Sequence, residues 1–195
     1  MPILGIWASS FRSAAGPVGA YDALATITVP SGGVASITFS GIPTGYKHLQ
    51  LRTIDQNNRT TYTTSDNTLR INGDTGNNYA NHSMASNQAG GSTVDAGSGS
   101  SIAGIYTYTT TSSVAGNTFG STIIDFLDYA NVNKNKTVRI LSGADTNGAT
   151  AGYTGCIKFA SGLWMSTSAI TSITVSPQFG SLLTQNSSFA LYGVK

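Results

Sequence analysis

The chain contains no glutamate: its eight acidic residues are the aspartates 22, 55, 66, 74, 95, 125, 128 and 145. Charged residues occupy 9% of the 195 positions, against about 25% in an ordinary soluble domain. Surface helices normally carry Glu and Lys on their wet faces, so this shortage argues against a helical fold. Cys156 is the single cysteine, which excludes an intrachain disulfide and a cysteine zinc site. Beside Ile157 and Phe159 it reads as a small buried side chain, not a reactive thiol. Histidine is equally scarce, with only His48 and His82. A metallohydrolase would ordinarily use more, and no Gly-x-Ser-x-Gly elbow places a serine for nucleophilic attack. No apolar run approaches the ~18 residues of a membrane span, so no membrane insertion is expected. The net charge of +2 is spread along the chain, which argues against a nucleic-acid partner. The one tight basic group, Lys134, Lys136 and Arg139, reads as a solvated turn and a strand edge kept soluble by lysine.

What fills the chain instead is Ser, Thr, Asn and Gly, nearly half of all residues. These suit strands, turns and loops. Nine Tyr, seven Phe and many Ile, Val and Leu are set among them in short regular runs, enough to build a core in a chain of this length.

Residues 1–20 stand apart. Ile3, Leu4, Ile6 and Trp7 form an apolar segment, followed by Ser13-Ala-Ala-Gly-Pro17, which extends neither strand nor helix comfortably. The segment lacks the basic n-region of a signal peptide and is expected to be retained. Such a segment needs cover. It either covers its own core or docks into a neighbouring subunit, and the polar spacer after it tilts the reading towards docking. Residues 1–20 are therefore read as an N-terminal arm for attachment or inter-subunit docking, and residues 21–195 as one domain.

That domain reads as strand after strand. Residues 23–29 alternate, Pro30-Ser-Gly-Gly33 turns, and residues 34–39 run back, the sequence form of a hairpin. Leu49 and Leu51 share one face of the next strand, with His48, Gln50 and Arg52 on the other. Residues 55–68 read as a long polar loop, Leu69–Ile71 as a short strand, and Asn72-Gly73 as a strong turn. The Gly/Ser/Ala-rich residues 85–101 read as a mobile excursion. Residues 119–129 read as a central strand with Ile123 and Ile124 both buried. Val138 and Ile140 face inwards in the next, and 157–164, 170–175 and 189–194 complete the set. Nine or ten short strands without a fixed repeat predict an all-β fold, an antiparallel β-sandwich or jelly roll with an extended N-terminal arm.

Several segments carry a resemblance: Met1-Pro-Ile-Leu-Gly-Ile-Trp-Ala-Ser-Ser10, the strand at Ile27–Val29 with the Gly32-Gly33 turn, Gly41-Ile-Pro43, Tyr46–Arg52, Ile71–Tyr79, Ile124–Asn131, Asn133–Thr137, Ser161-Gly-Leu-Trp164 and Ser188–Gly193. Together they resemble small uncharacterised proteins of tailed phages, notably phages of cyanobacteria and marine bacteria. The resemblance spans nearly the whole chain; residues 55–68 and 85–118 carry none of it. It implies a virion structural protein of the tail, baseplate or fibre region, with contact to the host surface as a further reading, or a head decoration. The implied location is the virion, assembled in the host bacterial cytoplasm. The implied partners are further copies of the chain, expected as a homotrimer, and other virion proteins held through the arm. The resemblance names no reaction and no receptor.

The residues themselves offer little chemistry. No catalytic residue and no cofactor are assigned, and an enzyme is not expected. A glycan-degrading fibre enzyme remains the third reading, since it needs only two carboxylates about 5–10 Å apart. Asp125 and Asp128 are three apart at a strand and its end and are expected on opposite faces, while Asp66 and Asp74 flank one strand and could approach. Each reads first as a solvated turn aspartate. Asn72-Gly-Asp-Thr-Gly-Asn-Asn78 offers several oxygens to calcium, but one carboxylate brings little charge, so Asp74 is a turn residue first and a metal ligand second. For recognition of a surface glycan the candidates are Tyr62, Tyr79, Tyr106 and Tyr108, whose rings could stack on sugars; the competing reading is cross-strand packing.

Overall fold

A computed structural model of the chain describes residues 19–88, 92–114, 117–146 and 155–195. The arm residues Ile3, Leu4, Ile6 and Trp7 lie outside them. The described residues contain no helix and twelve strands: β1 (Tyr21–Thr28), β2 (Ile37–Ser40), β3 (His48–Asn57), β4 (Thr64–Ile71), β5 (Tyr79–Gln88), β6 (Ser92–Ile102), β7 (Ile105–Thr111), β8 (Gly120–Leu127), β9 (Lys136–Asp145), β10 (Gly155–Trp164), β11 (Ser172–Pro177) and β12 (Ser188–Val194). The chain is all-β and sandwich-like, as its composition predicts.

The larger sheet runs β1-β12-β3-β8-β9-β10-β5-β6, antiparallel throughout. The smaller runs β2-β11-β4-β7, also antiparallel. They join where the end of β3 pairs in parallel with β7, Gln56 opposite Thr110 and Asn57 opposite Thr111. This parallel step was not foreseen.

Period-two alternation decides what each strand buries. Leu49 and Leu51, Ile124 and Phe126, Val138 and Ile140 all point into one core from adjacent strands. Ile173 and Val175, with Leu69 and Ile71, close it from the smaller sheet. Each such side chain contributes roughly 1.5–3 kcal/mol relative to exposure. The sheets approach closely at Gly162 of β10: a Cβ there would lie 2.6 Å from Cδ1 of Ile105 on β7. Gly193 of β12 makes the same kind of room for the Tyr46 ring, 2.4 Å from an added Cβ.

Away from this apolar region the core turns polar. Asp55, Asn57, Thr64, Asn67, Thr109 and Thr122 are all buried around the junction. Ser142 Oγ accepts from the Tyr108 amide at 3.4 Å and from Thr122 Oγ1 at 3.0 Å, satisfying the edge of β7 against the larger sheet. A buried backbone edge needs such partners.

Several expectations fail for physical reasons. Residues 21–39 are not a hairpin: β1 pairs with β12, and β2 with β11. Gly32 and Gly33, at φ of 90° and 74°, turn the chain from one sheet to the other, and alternation alone does not say which strand lies alongside. The polar stretch 55–68 is mostly strand, leaving 58–63 as loop, because its Asp, Asn and Thr side chains bond one another inside. Most of the supposed excursion at 85–101 lies in β5 and β6, which pair with each other. Ile123 is 41% exposed while Ile124 is buried, since neighbours on one strand face opposite ways.

Gly162→Ala is expected to cost about 1–3 kcal/mol by overpacking the sheets. Gly143→Ala, where an added Cβ meets nothing within 4 Å, should stay within about 0.5 kcal/mol. Urea unfolding compares the two directly, and equal midpoints would contradict the close approach.

Candidate functional site

The most developed surface cluster is built where the chain leaves the sheet junction. Asn58 fixes its base: its Oδ1 accepts from the amides of Ser181 and Leu182 at 2.8 and 2.9 Å, and its own amide donates to Leu182 O at 3.0 Å. Gly180, at φ 93°, allows this approach; a side chain there would lie 2.8 Å from Asn58 Oδ1. The carbonyl of Tyr62 accepts from the hydroxyls of Thr111 and Ser113. Two loops are thus clipped together, and Arg59 lies between their aromatic residues, 4.3 Å from the Tyr62 ring centroid and 4.5 Å from that of Phe179. Both rings remain exposed, at 41% and 45%. Asn58, Thr60, Thr61, Gln178 and Ser181 help line the shallow depression of about 590 Å³ beside them. The arrangement offers two apolar ring surfaces, a guanidinium and several amide and hydroxyl groups, which suits a wet, half-apolar ligand.

Of the four tyrosines expected at a recognition surface, only Tyr62 belongs to this cluster. Tyr79 is fully buried; its hydroxyl accepts from the Ile71 amide at 3.0 Å and donates towards Asp74 O at 3.1 Å. It is a core residue because it occupies the inner face of β5 where that strand begins. Tyr108 is half-buried, its hydroxyl 2.6 Å from Thr64 Oγ1 and its ring 5.5 Å from Lys158 Nζ. Burial pushes its phenol well above the ordinary range. Tyr106 is half-buried opposite Thr68 in the β4–β7 ladder.

The carboxylates are held by protein groups. Asp74 accepts from Trp164 Nε1 at 2.8 Å, from Asn78 Nδ2 and from the Gly76 amide. These bonds, that of Trp164 foremost, hold its carboxyl below the usual range. Both oxygens accept from protein donors, so Asp74 clips its own loop to β10. Among the described residues no three His, Cys, Asp or Glu gather as a metal site would require. Asp66 does not approach Asp74: it pairs with Lys158 at 2.9 Å, six residues along β10 from Trp164, roughly 20 Å away. Asp125 and Asp128 do not diverge to opposite faces. Asp125 meets Gln50 and Arg139, while Asp128, at φ 47°, turns back to Lys134 and His48, and Gln50 and His48 share a face of β3.

Lys136 and Asp55 are buried ionisable groups that the sequence does not announce. Lys136 is not in a solvated turn: it is fully buried, its ammonium donating to the carbonyls of Asn131, Lys134 and Thr167 at 2.6, 2.8 and 2.9 Å. Burial lowers its pKa, and the neighbouring Lys134 charge adds to this. Asp55 is buried at the sheet junction, accepting from Thr53 Oγ1 at 2.5 Å and Asn67 Nδ2 at 2.6 Å. Burial raises its carboxyl, and the hydrogen bonds of Thr53, Thr109 and Asn67 oppose the rise. Arg59 and Phe179 were also missed. Arg59 is the one cation in the stretch 55–68 and lies three residues from Tyr62, a signal that could have singled it out; nothing in the sequence brings Phe179 beside them.

No family model, curated protein or solved structure matches the chain.

The Asp55 environment has a pH signature. Its carboxyl keeps its proton to higher pH in the folded chain than in the unfolded one. The stability it contributes is therefore complete below the unfolded carboxylate range and is lost as pH rises through the folded value. Asp55→Asn, which cannot ionise, should match the parent chain at about pH 3 and exceed it in urea midpoint at about pH 8. A gap that is constant with pH would contradict the raised pKa.

Proposed function

We propose that the chain is a structural module of a bacteriophage particle, exposed in the tail fibre or baseplate region, and that the Arg59–Tyr62–Phe179 corner contacts carbohydrate on the host surface. One observation carries this reading. The segments that resemble phage structural proteins supply the framework, including the inner faces of β3 and β8, the Asp74–Trp164 clip and the buried Lys136. Arg59, Tyr62 and Phe179 lie outside those segments, on loops clipped to one another. A shared body with its own presented surface is the form a particle protein with an adsorption role would take. Aromatic faces with adjacent amides and hydroxyls are suited to sugar rings. Several copies on one particle would multiply a modest single-site affinity.

Binding of the isolated chain to host cells, or to their purified surface polysaccharide, tests the recognition half. Tyr62→Ala and Phe179→Ala should each weaken binding by roughly tenfold, as lost aromatic contacts of about 1 kcal/mol or more imply, with thermal unfolding unchanged. Binding that is absent in the parent chain, or unaltered in both variants, would contradict it. The attachment half predicts that removing residues 2–10 leaves a cooperatively folding domain that is missing from purified particles by mass spectrometry. Unfolding of the shortened chain would instead assign that segment to the core of its own domain.

A further inference from the structure

The outer face of the larger sheet, turned away from the core, carries a band of apolar side chains that an isolated domain would leave in water. Strand register aligns them. Ile123 of β8 lies opposite Leu141 of β9, Leu141 opposite Phe159 of β10, and Phe159 opposite Met84 of β5. The neighbouring row adds Ile54 of β3 and Ile157 of β10. These six side chains are 41 to 58% exposed. They rim two shallow hollows, one between Ile54, Ile123, Leu141 and Ile157 and the other between Met84 and Phe159. On the opposite side of the band runs a polar row. Gln50 donates to Asp125 at 2.8 Å, Arg139 donates to the same carboxylate at 2.8 Å, and Arg52 donates to Gln50 at 2.7 Å. The guanidinium of Arg52 also covers the Tyr192 ring at 4.8 Å. An apolar centre with a polar, internally bonded margin is the anatomy of a protein interface.

We infer that this face is the contact between two copies of the chain, packed sheet against sheet about a two-fold axis. Charge and area both favour a second copy as the occupant. Among the described side chains of this face Arg52 and Arg139 are balanced by Asp125 and Asp145. A neutral face offers nothing to a strongly charged partner, and under a two-fold its Asp125–Arg139 pair meets the same pair reversed. The face is also large enough. Eight strands about 4.8 Å apart and four outward-facing rows about 6.8 Å apart give about 34 by 20 Å, or ~700 Å². A standard stable interface uses about 800 Å² per partner. The apolar row of one copy then lies on that of the other at the usual sheet spacing of about 10 Å, with Phe159 and Leu141 facing the hollows. A two-fold contact of this kind closes at two copies, where the phage resemblance implies three.

Sedimentation equilibrium of the full chain in the micromolar range tests this. The expected mass is twice the 20.1 kDa of one chain. Phe159→Glu should weaken the pairing roughly thirtyfold or more, as loss of a central anchor does, with its urea midpoint close to that of the parent. Met84→Lys, at an independent position of the same row, gives a second reading should Phe159→Glu fail to fold. The chain lacking residues 2–10 should remain paired. A single-chain or trimeric mass for the parent, or pairing that survives in a folded Phe159→Glu or Met84→Lys variant, would overturn the inference. Loss of pairing on removal of residues 2–10 would also overturn it, by assigning the association to the terminal segment.

Discussion

The structure depends on one buried polar junction. The two sheets meet where β3 leaves its antiparallel neighbours and pairs in parallel with β7. Water does not reach this point, so every backbone and side-chain polar group there must find a partner within the protein. Asp55, Asn57 and Asn67 form the chain that achieves this: Asn57 donates to Asn67, and Asn67 donates to Asp55. Thr109 adds a bond to the Asp55 carbonyl at 2.6 Å. An apolar substitute at any of these positions would strand a donor or acceptor. The junction holds the smaller sheet over the larger and brings Ile105 down onto Gly162. The loop after Asn57 starts directly from it, so Arg59 and Tyr62 take their place from the same network.

Much of the architecture was legible in the sequence, because half-buried strands advertise their inner face. The alternations around Leu49 and Leu51, Val138 and Ile140, and Phe189 and Leu191 all point inwards as their periodicity requires. What the sequence could not convey was partnership. The strands at 21–28 and 37–40 have the pattern of a hairpin and belong to different sheets, since a side chain alternates identically beside any neighbour. Composition misled in the other direction at β5 and β6, where small residues read as a mobile loop form an extended antiparallel pair. Polar residues misled most. Asp55 falls in a stretch that reads as a polar loop and Lys136 in one that reads as a solvated turn, because burial of a charge is costly unless the tertiary fold supplies its bonds; for Asp55 these come from Asn67 and the nearby Thr53, and for Lys136 from loop carbonyls.

The candidate site was legible in part for the same reason. Tyr62 could be singled out as an aromatic residue in a polar loop, but its partner Phe179 is 117 positions further along and meets it only through Arg59. Tyr79 has the same composition cues and lies in the core. An aromatic residue among polar neighbours carries no mark of which face it will occupy, and strand register alone decides.

The domain thus combines a hydrogen-bonded framework with two distinct surfaces, an aromatic corner at the loops and an apolar band across the larger sheet. Its proposed place on a phage particle is tested most directly by immunogold labelling of intact particles with antibody to residues 21–195. The account predicts gold at the tail tip or baseplate. Gold spread over the head, or particles that stay unlabelled, would contradict it.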